Sequence, residues 1–277
     1  MLRAIKHFLE RFYKSNGRLE MARPGHEYFE RVDALDNVVR HCIAVSRACA
    51  GIPSPTGAHY YASVLFTALC TRGVTLAMLA PHSNWAKREF EHWDYGSAAG
   101  IVRSILEIRI ALFYLCSEKV SDEEWQCRWN IFNLHDCTSR ILLFKEIPDA
   151  EDQILGFEEQ RNELKARLEG NPYFNALTQG EKKKFLNGQS AYMQPLEAIA
   201  ERAGVELQTF RMVYRLFSSQ VHGLPMAYYR MEEQDRGRGV YSSSEEGFTA
   251  LCLSLAISLL VASRDEMQEL FPEGKNA

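Results

Sequence analysis

Three stretches of this chain, 58–80, 98–117 and 243–270, are apolar over most of their length and far too long for strands. Strands rarely run beyond about ten residues, so apolar runs of this size read as helices. Nothing between them alternates apolar and polar side chains with the period of two that a half-buried strand needs. The sequence therefore predicts an all-α fold, a multi-helix bundle of roughly eight to ten helices around three that are apolar on nearly every face.

Helices this apolar raise the question of a membrane. Within the first, the segment Tyr60 to Ala80 carries Arg72 in its middle. Within the third, Phe248 to Ser263 is only 16 residues and includes Ser254 and Ser258, short of the roughly 20 that a span needs. Both read as buried core helices, with no transmembrane segment expected. At 277 residues, with 46% hydrophobic and 25% charged residues, the composition is that of an ordinary globular protein. The formal charge of −4 removes any overall basic field, so attraction to nucleic acid has to come from a local patch. Seven cysteines with no two-residue knuckle spacing read as reduced, buried thiols, and with no secretory signal pattern the expected location is cytoplasmic.

Taken in order, residues 2–14 form a basic amphipathic helix with Leu2, Ile5, Leu9 and Phe12 on one face, suited to a membrane surface, a partner or the protein's own core. A helix over His26 to Ala50 precedes the loop of residues 51–57. Helices over Ala58 to Ala80 and Ala98 to Ser117 follow, the latter capped by Ser97 and separated from the former by a Trp- and His-rich loop or lid at 82–96. Capping-box patterns at Ser121, Thr178 and Ser243 announce helices over Asp122 to Glu146, a short lysine-rich segment, and the stretch ending near Leu270. A charged, solvent-facing helix spans Asp149 to Glu169. The predicted division is residues 1–57 as N-terminal helices and loop, 58–270 as the main bundle and 271–277 as a flexible tail.

The polar residues with chemical potential gather in LEAIAERAGVELQTFRMVYRLFSSQVHG, from Leu196 to Gly223. On a helix, Arg215 and His222 lie about 20° apart in azimuth and roughly 10.5 Å apart along the axis, so one anionic group can touch both. Arg211, Tyr214 and Ser218 extend this polar stripe. On the second apolar stretch, Arg103 and Glu107 stand four apart, either as a structural ion pair or facing a shared polar cavity. The bland reading of His222 is a helix C-terminal cap, since Gly223 and Pro225 mark a helix end. No metal-ligand spacing and no glycine-rich phosphate loop is present in the sequence, so neither a metal nor a cofactor is expected.

Three resemblances bear on this stretch. Ile199 to Val205 followed by Thr209 and Val213 looks like the helix-turn-helix of bacterial repressors, with Gly204 at the turn. Phe210, Val213, Phe217 and Val221 instead suggest a second helix buried in a larger bundle, and Glu197, Glu201 and Glu206 oppose DNA. The span YRLFSSQVHG from Tyr214 resembles the signature of HEPN-domain proteins, an arginine followed after four to six residues by a histidine on a late helix of an all-α bundle. That resemblance implies a HEPN-like core and a dimeric, metal-independent ribonuclease of toxin or phage-defence systems. His222 and Arg215 would be the catalytic pair: the histidine moves a proton while the arginine neutralises the phosphate. RNA would be the substrate, and an antitoxin-like protein and a second copy of the chain would be partners. The pattern alone is unspecific: with 22 arginines and eight histidines in 277 residues a fixed spacing is expected about 0.6 times and the three allowed spacings together about twice, and the chain contains two, at Arg128/His135 and Arg215/His222. Leu216 stands where the signature usually has a polar residue.

The widest resemblance, over about residues 58 to 265, is to a large family of bacterial helical proteins known only as a domain of unknown function. It rests on Arg103-Ser-Ile-Leu-Glu107 on an apolar helix and on the 196–223 stretch. It implies that Arg103, Glu107, Tyr214, Ser218 and His222 meet at one polar site between core helices, and it accounts for the repressor-like segment without DNA. The sequence leaves three functions standing: HEPN-like endoribonuclease, non-catalytic helical interaction or scaffold protein, and helix-turn-helix DNA-binding regulator.

Overall fold

The computed structural model describes residues 23–229, 231 and 235–276. The basic helix expected over residues 2–14 lies outside them. Among the described residues the chain is all-α, with eleven α-helices, and the one β-type pairing is an isolated bridge between Trp93 and Gly239. The backbone separates into two compact units, one made of residues 23–117 and 200–276 and the other of Glu118–Ile199.

In the first unit, α1 (His26–Cys49), α2 (Gly57–Leu79), α3 (Tyr95–Leu112) and the late helix α11 (Ser243–Leu270) pack on one another. Their buried faces supply Val39, Phe66, Leu69, Ile105, Leu106, Leu253 and Leu260, each essentially inaccessible to water. Gly73 of α2 is where three helices meet: a Cβ there would sit 3.1 Å from Val39 Cγ2 and 3.3 Å from Leu260 Cδ1. Phe271, placed by sequence in a flexible tail, is 1% exposed, and Pro272–Asn276 forms a 3₁₀ turn.

Local chemistry explains the boundaries. α3 begins three residues earlier than its Ser97 cap suggests, because Asp94 accepts the Ser97 N–H at 3.0 Å. It ends in a π-helical turn at Phe113–Ser117, where Arg109 and Ser117 both reach Glu266 of α11. α11 is capped by Ser242 rather than Ser243, through the Glu245 N–H at 3.1 Å. It runs 28 residues, so length does not separate it from a membrane span. α2 and α11 are both long and apolar enough to cross a membrane, with 39% and 56% of their most apolar windows buried. Arg72, the charge inside α2, is held by the Ser104 hydroxyl at 2.6 Å.

In the second unit, α4 (Asp122–Phe144) and α5 (Glu151–Glu169) form an antiparallel hairpin, completed by α6 (Pro172–Asn175) and α7 (Gln179–Leu186). Cys127, Ile131, Leu134, Leu164, Leu168, Phe174 and Phe185 form its core. α5 buries only Leu164 and Leu168, as its charged sequence predicts. The Thr178 capping box closes reciprocally with Glu181. At Ser121 only half the box forms, because the Glu124 carboxylate is taken by Arg128.

Candidate functional site

The stretch from Leu196 to Gly223 folds as α8 (Leu196–Arg202), a turn through Gly204 at φ +81°, and α9 (Leu207–Val221). Glu206 caps α9 by accepting the N–H groups of Gln208 and Thr209. Phe210, Val213 and Phe217 are buried, and α9 packs on α3. A recognition helix must present its face to a groove; the apolar face of this one is spent on the bundle.

Two glycines of α3 face the end of α9. A Cβ on Gly96 would lie 3.4 Å from Gln220 Oε1, and one on Gly100 would lie 3.8 Å from Val221 Cγ2. A methyl at either place would make ordinary van der Waals contact, so only a side chain longer than alanine's would press on the C-terminal turn of α9. Below that turn, Gln220 Nε2 donates to the Tyr95 hydroxyl, which also receives Arg236 Nη1 at 3.1 Å. Burial pushes the Tyr95 phenol up to about 12, against the opposing pull of Arg236, so it stays a neutral partner in this network. Glu245 joins by accepting the N–H groups of Tyr95 and Gly237.

One turn along α3 from Gly100 stands Arg103, and its guanidinium collects three partners. Nε donates to Glu107 Oε1 at 3.3 Å, Nη2 to the Tyr214 hydroxyl at 3.2 Å, and Nη1 to His222 Nε2 at 3.2 Å. Its carbon also sits 4.8 Å from the Tyr214 ring centroid, within cation–π range. For the Nη1 contact to be a hydrogen bond, His222 Nε2 must be the unprotonated acceptor, since guanidinium has no lone pair to offer. The Arg103 side chain is 14% exposed, the Glu107 side chain 42%, and His222 is exposed, so the group opens to solvent on the histidine side.

The polar cluster expected between the core helices thus brings together Arg103, Glu107, Tyr214 and His222. His222 is the C-cap of α9 by its backbone N–H, which bonds the Ser218 carbonyl at 3.0 Å, but its ring faces Arg103 rather than helix carbonyls. Ser218 Oγ is closed off from solvent with no hydrogen-bond partner, so it does not orient the imidazole. Arg215 is exposed on α9 and makes no ion pair among the described residues; the arginine beside His222 is Arg103, from another helix. Arg211 is exposed on the same helix. The sequence signal overlooked is the Gly96/Gly100 pair, spaced four apart on the helix that carries Arg103.

The other Arg/His pair at the same spacing serves structure. Arg128 is buried between Glu118 and Glu124 at 2.6 Å each, and His135 Nδ1 lies 2.9 Å from the Gly188 carbonyl. Arg109, also on α3, is 2% exposed and bidentate to Glu266. No group of three or more His, Cys, Asp or Glu placed to hold a metal occurs among the described residues. An open cavity of about 400 Å³ in the second unit is lined by Gln126, Trp129, Asn130, Arg167, Asn171 and neighbours, none of them an expected site residue.

No curated protein and no solved structure matches the chain. The model of one protein family matches residues 86–238, more than half of the chain and a span containing Arg103, Glu107, Tyr214, Ser218 and His222. The chain belongs to that family, described as a family of unknown function (DUF5677).

Proposed function

We propose that the Arg103–His222 cluster cleaves RNA without a metal, by attack of a ribose 2′-hydroxyl on its own 3′-phosphodiester. The observation that carries this reading is the contact of Arg103 Nη1 with His222 Nε2 at 3.2 Å, at an exposed edge beside the Tyr214 hydroxyl. The likeness of the 214–223 segment to the HEPN signature supports it, with Arg103 taking the part that sequence gives to Arg215.

Guanidinium carries five N–H bonds and three are engaged here, leaving two for phosphate oxygens. Glu107 holds Nε and fixes the plane. When a phosphate draws Nη1 away, His222 Nε2 is released as a base and takes the proton of the 2′-hydroxyl. The 2′-oxygen then bonds phosphorus, the bond to the 5′-oxygen breaks, and that oxygen takes a proton from solvent. A 2′,3′-cyclic phosphate and a 5′-hydroxyl result. Arg103 and the Tyr214 O–H, whose hydrogen is free because its oxygen is the acceptor, stabilise the added negative charge. Arg215 and Arg211 continue the cationic surface along α9.

The test is incubation of purified protein with end-labelled RNA in EDTA, beside DNA and 2′-O-methyl RNA of the same sequence. Cyclic-phosphate ends from RNA alone, lost in His222→Ala and Arg103→Ala, are the expected result. RNA left intact by the wild type overturns the proposal. A non-catalytic interaction role is the second reading, favoured by Leu142, Leu143, Ile147 and Leu155, which stand 46–61% exposed on the α4/α5 hairpin.

A further inference from the structure

We propose that the open cavity of the second unit binds an adenine nucleotide, with Asn130 reading the base, Trp129 walling it and Arg167 meeting the phosphate. The inference goes beyond the RNA-cleavage reading: no residue of α3, α9 or the short α10 (Pro225–Tyr228) lines this cavity. Its volume of about 400 Å³ falls in the range of small-molecule sites, roughly 300–1,000 Å³. One wall comes from α4, where Gln126, Trp129 and Asn130 stand three and four positions along from the first and so share a helix face. The other is the end of α5 and the turn into α6, from Arg167 to Pro172.

Two buried asparagines line the cavity, and only one of them is employed. Asn171 donates from Nδ2 to the Glu123 carbonyl at 2.9 Å and accepts the Phe174 N–H on Oδ1 at 2.9 Å, so it fixes the turn between α5 and α6. Asn130 is 8% exposed, and its carboxamide has no hydrogen-bond partner among the described residues. Neither amide atom is sealed off by protein, so both open on the cavity that Asn130 lines. The Gln126 carboxamide, one turn before it on the same face, is also unpaired among the described residues. Buried polar groups are as a rule hydrogen-bonded, so Asn130 marks where the polar edge of a ligand belongs.

The groups present select the occupant. A carboxamide offers an N–H donor beside a C=O acceptor, which complements the N6–H donor and N7 acceptor of adenine; guanine shows two acceptors, N7 and O6, on that edge and is refused. Trp129 supplies the flat wall on which a base rests, and its stack on Trp125, centroids 5.7 Å apart with 8° between the planes, fixes the indole beforehand. Arg167 is the one ionised residue among the described lining residues, which calls for a negative charge on the ligand. Its side chain is 64% exposed and the Glu163 carboxylate 3.5 Å away is 67% exposed, so water screens that pair and leaves the guanidinium able to turn to a phosphate.

The experiment is isothermal titration calorimetry of the full chain with adenosine 5′-monophosphate, adenosine and guanosine 5′-monophosphate. The adenine nucleotide should saturate one site, and the guanine nucleotide should bind at least about tenfold more weakly. Asn130→Ala should lose about tenfold in affinity for the adenine nucleotide. Because the Asn130 amide has no protein partner, this variant should keep the wild-type melting temperature, which separates reading the base from holding the fold. Arg167→Ala removes a largely exposed side chain, so the chain still folds; it should weaken the nucleotide several-fold and leave adenosine unchanged. Titrations without saturable binding of the adenine nucleotide, equal affinity for the guanine nucleotide, or unchanged affinity in Asn130→Ala each overturn the proposal and leave the amide to water. Nucleotide bound by Arg167→Ala as tightly as by the wild type overturns the assignment of the phosphate.

Discussion

Arg103 Nη1 and His222 Nε2 lie 3.2 Å apart although 119 positions separate them in the chain. Near this contact α3 and the end of α9 pass each other at Gly96 and Gly100. Gly100→Leu should place a branched side chain against Val221 and move the end of α9 outward. The expected outcome is at least a tenfold loss of RNA cleavage with the fold retained, and an NMR shift of the His222 ring signals toward those of Arg103→Ala. Ring signals unchanged from wild type would show that the glycines do not set the contact.

Arg109 and Glu266 form a bidentate pair in which the arginine is almost wholly buried, with the Ser117 hydroxyl on the same carboxylate at 2.6 Å. Removing one member leaves an uncompensated charge in the core. Glu266→Ala should cost about 3 kcal/mol, and Glu266→Gln less because hydrogen bonds survive. Urea unfolding monitored by circular dichroism measures both.

Gly188 has φ +69°, and a Cβ there would lie 2.0 Å from Thr138 Oγ1 and 3.2 Å from the Leu134 carbonyl. Gly188→Ala should therefore destabilise the second unit by about 2 kcal/mol or more. Adding Thr138→Gly should restore only part, since the backbone carbonyl and the left-handed conformation remain. Hydrogen exchange over residues 118–199 gives the reading.

The Glu206 carboxylate is held below its ordinary range first by the Thr209 hydroxyl and then by the Thr209 N–H. A depressed folded-state value means that the stabilisation is fully present above the ordinary carboxylate value and is lost as pH falls through the folded one. The start of α9 should fray in that acid window, and Glu206→Gln should flatten this part of the profile. Amide exchange of Gln208 and Thr209 against pH checks it.

All seven cysteines are free and buried. Burial pushes the thiols of Cys42, Cys116 and Cys127 up to about 12 and that of Cys70 to about 11, away from the reactive thiolate. The folded chain should react with a disulfide reagent many times more slowly than the chain in guanidinium, which should show all seven thiols. Rapid labelling of the folded chain would contradict this burial.

Much of the helical plan is legible in sequence because it is local. The apolar run of α2, the cap at Ser121, the box at Thr178 and the turn at Gly204 are each decided within a few residues by backbone hydrogen bonding. The boundary errors share one cause: a tertiary partner outbid a local one. Glu124 left its capping box for Arg128, and Glu246 serves Gly25 and the Tyr241 hydroxyl rather than a box with Ser243. The length argument against a membrane span in α11 failed because the helix continues past Ser263 on polar residues to Leu270.

For the site, sequence determined the inventory: an arginine and a glutamate one turn apart on an apolar helix, and a tyrosine and a histidine on a late one. Helical periodicity also put Arg215 in line with His222, since azimuth is a property of a single helix. Which arginine reaches the histidine was decided only in the tertiary structure. Crossing distance between helices depends on what lies at the crossing, and the end of α9 lies beside α3 at Gly96 and Gly100, where no large side chain intervenes. That contact brings Arg103 to His222 and leaves Arg215 facing solvent.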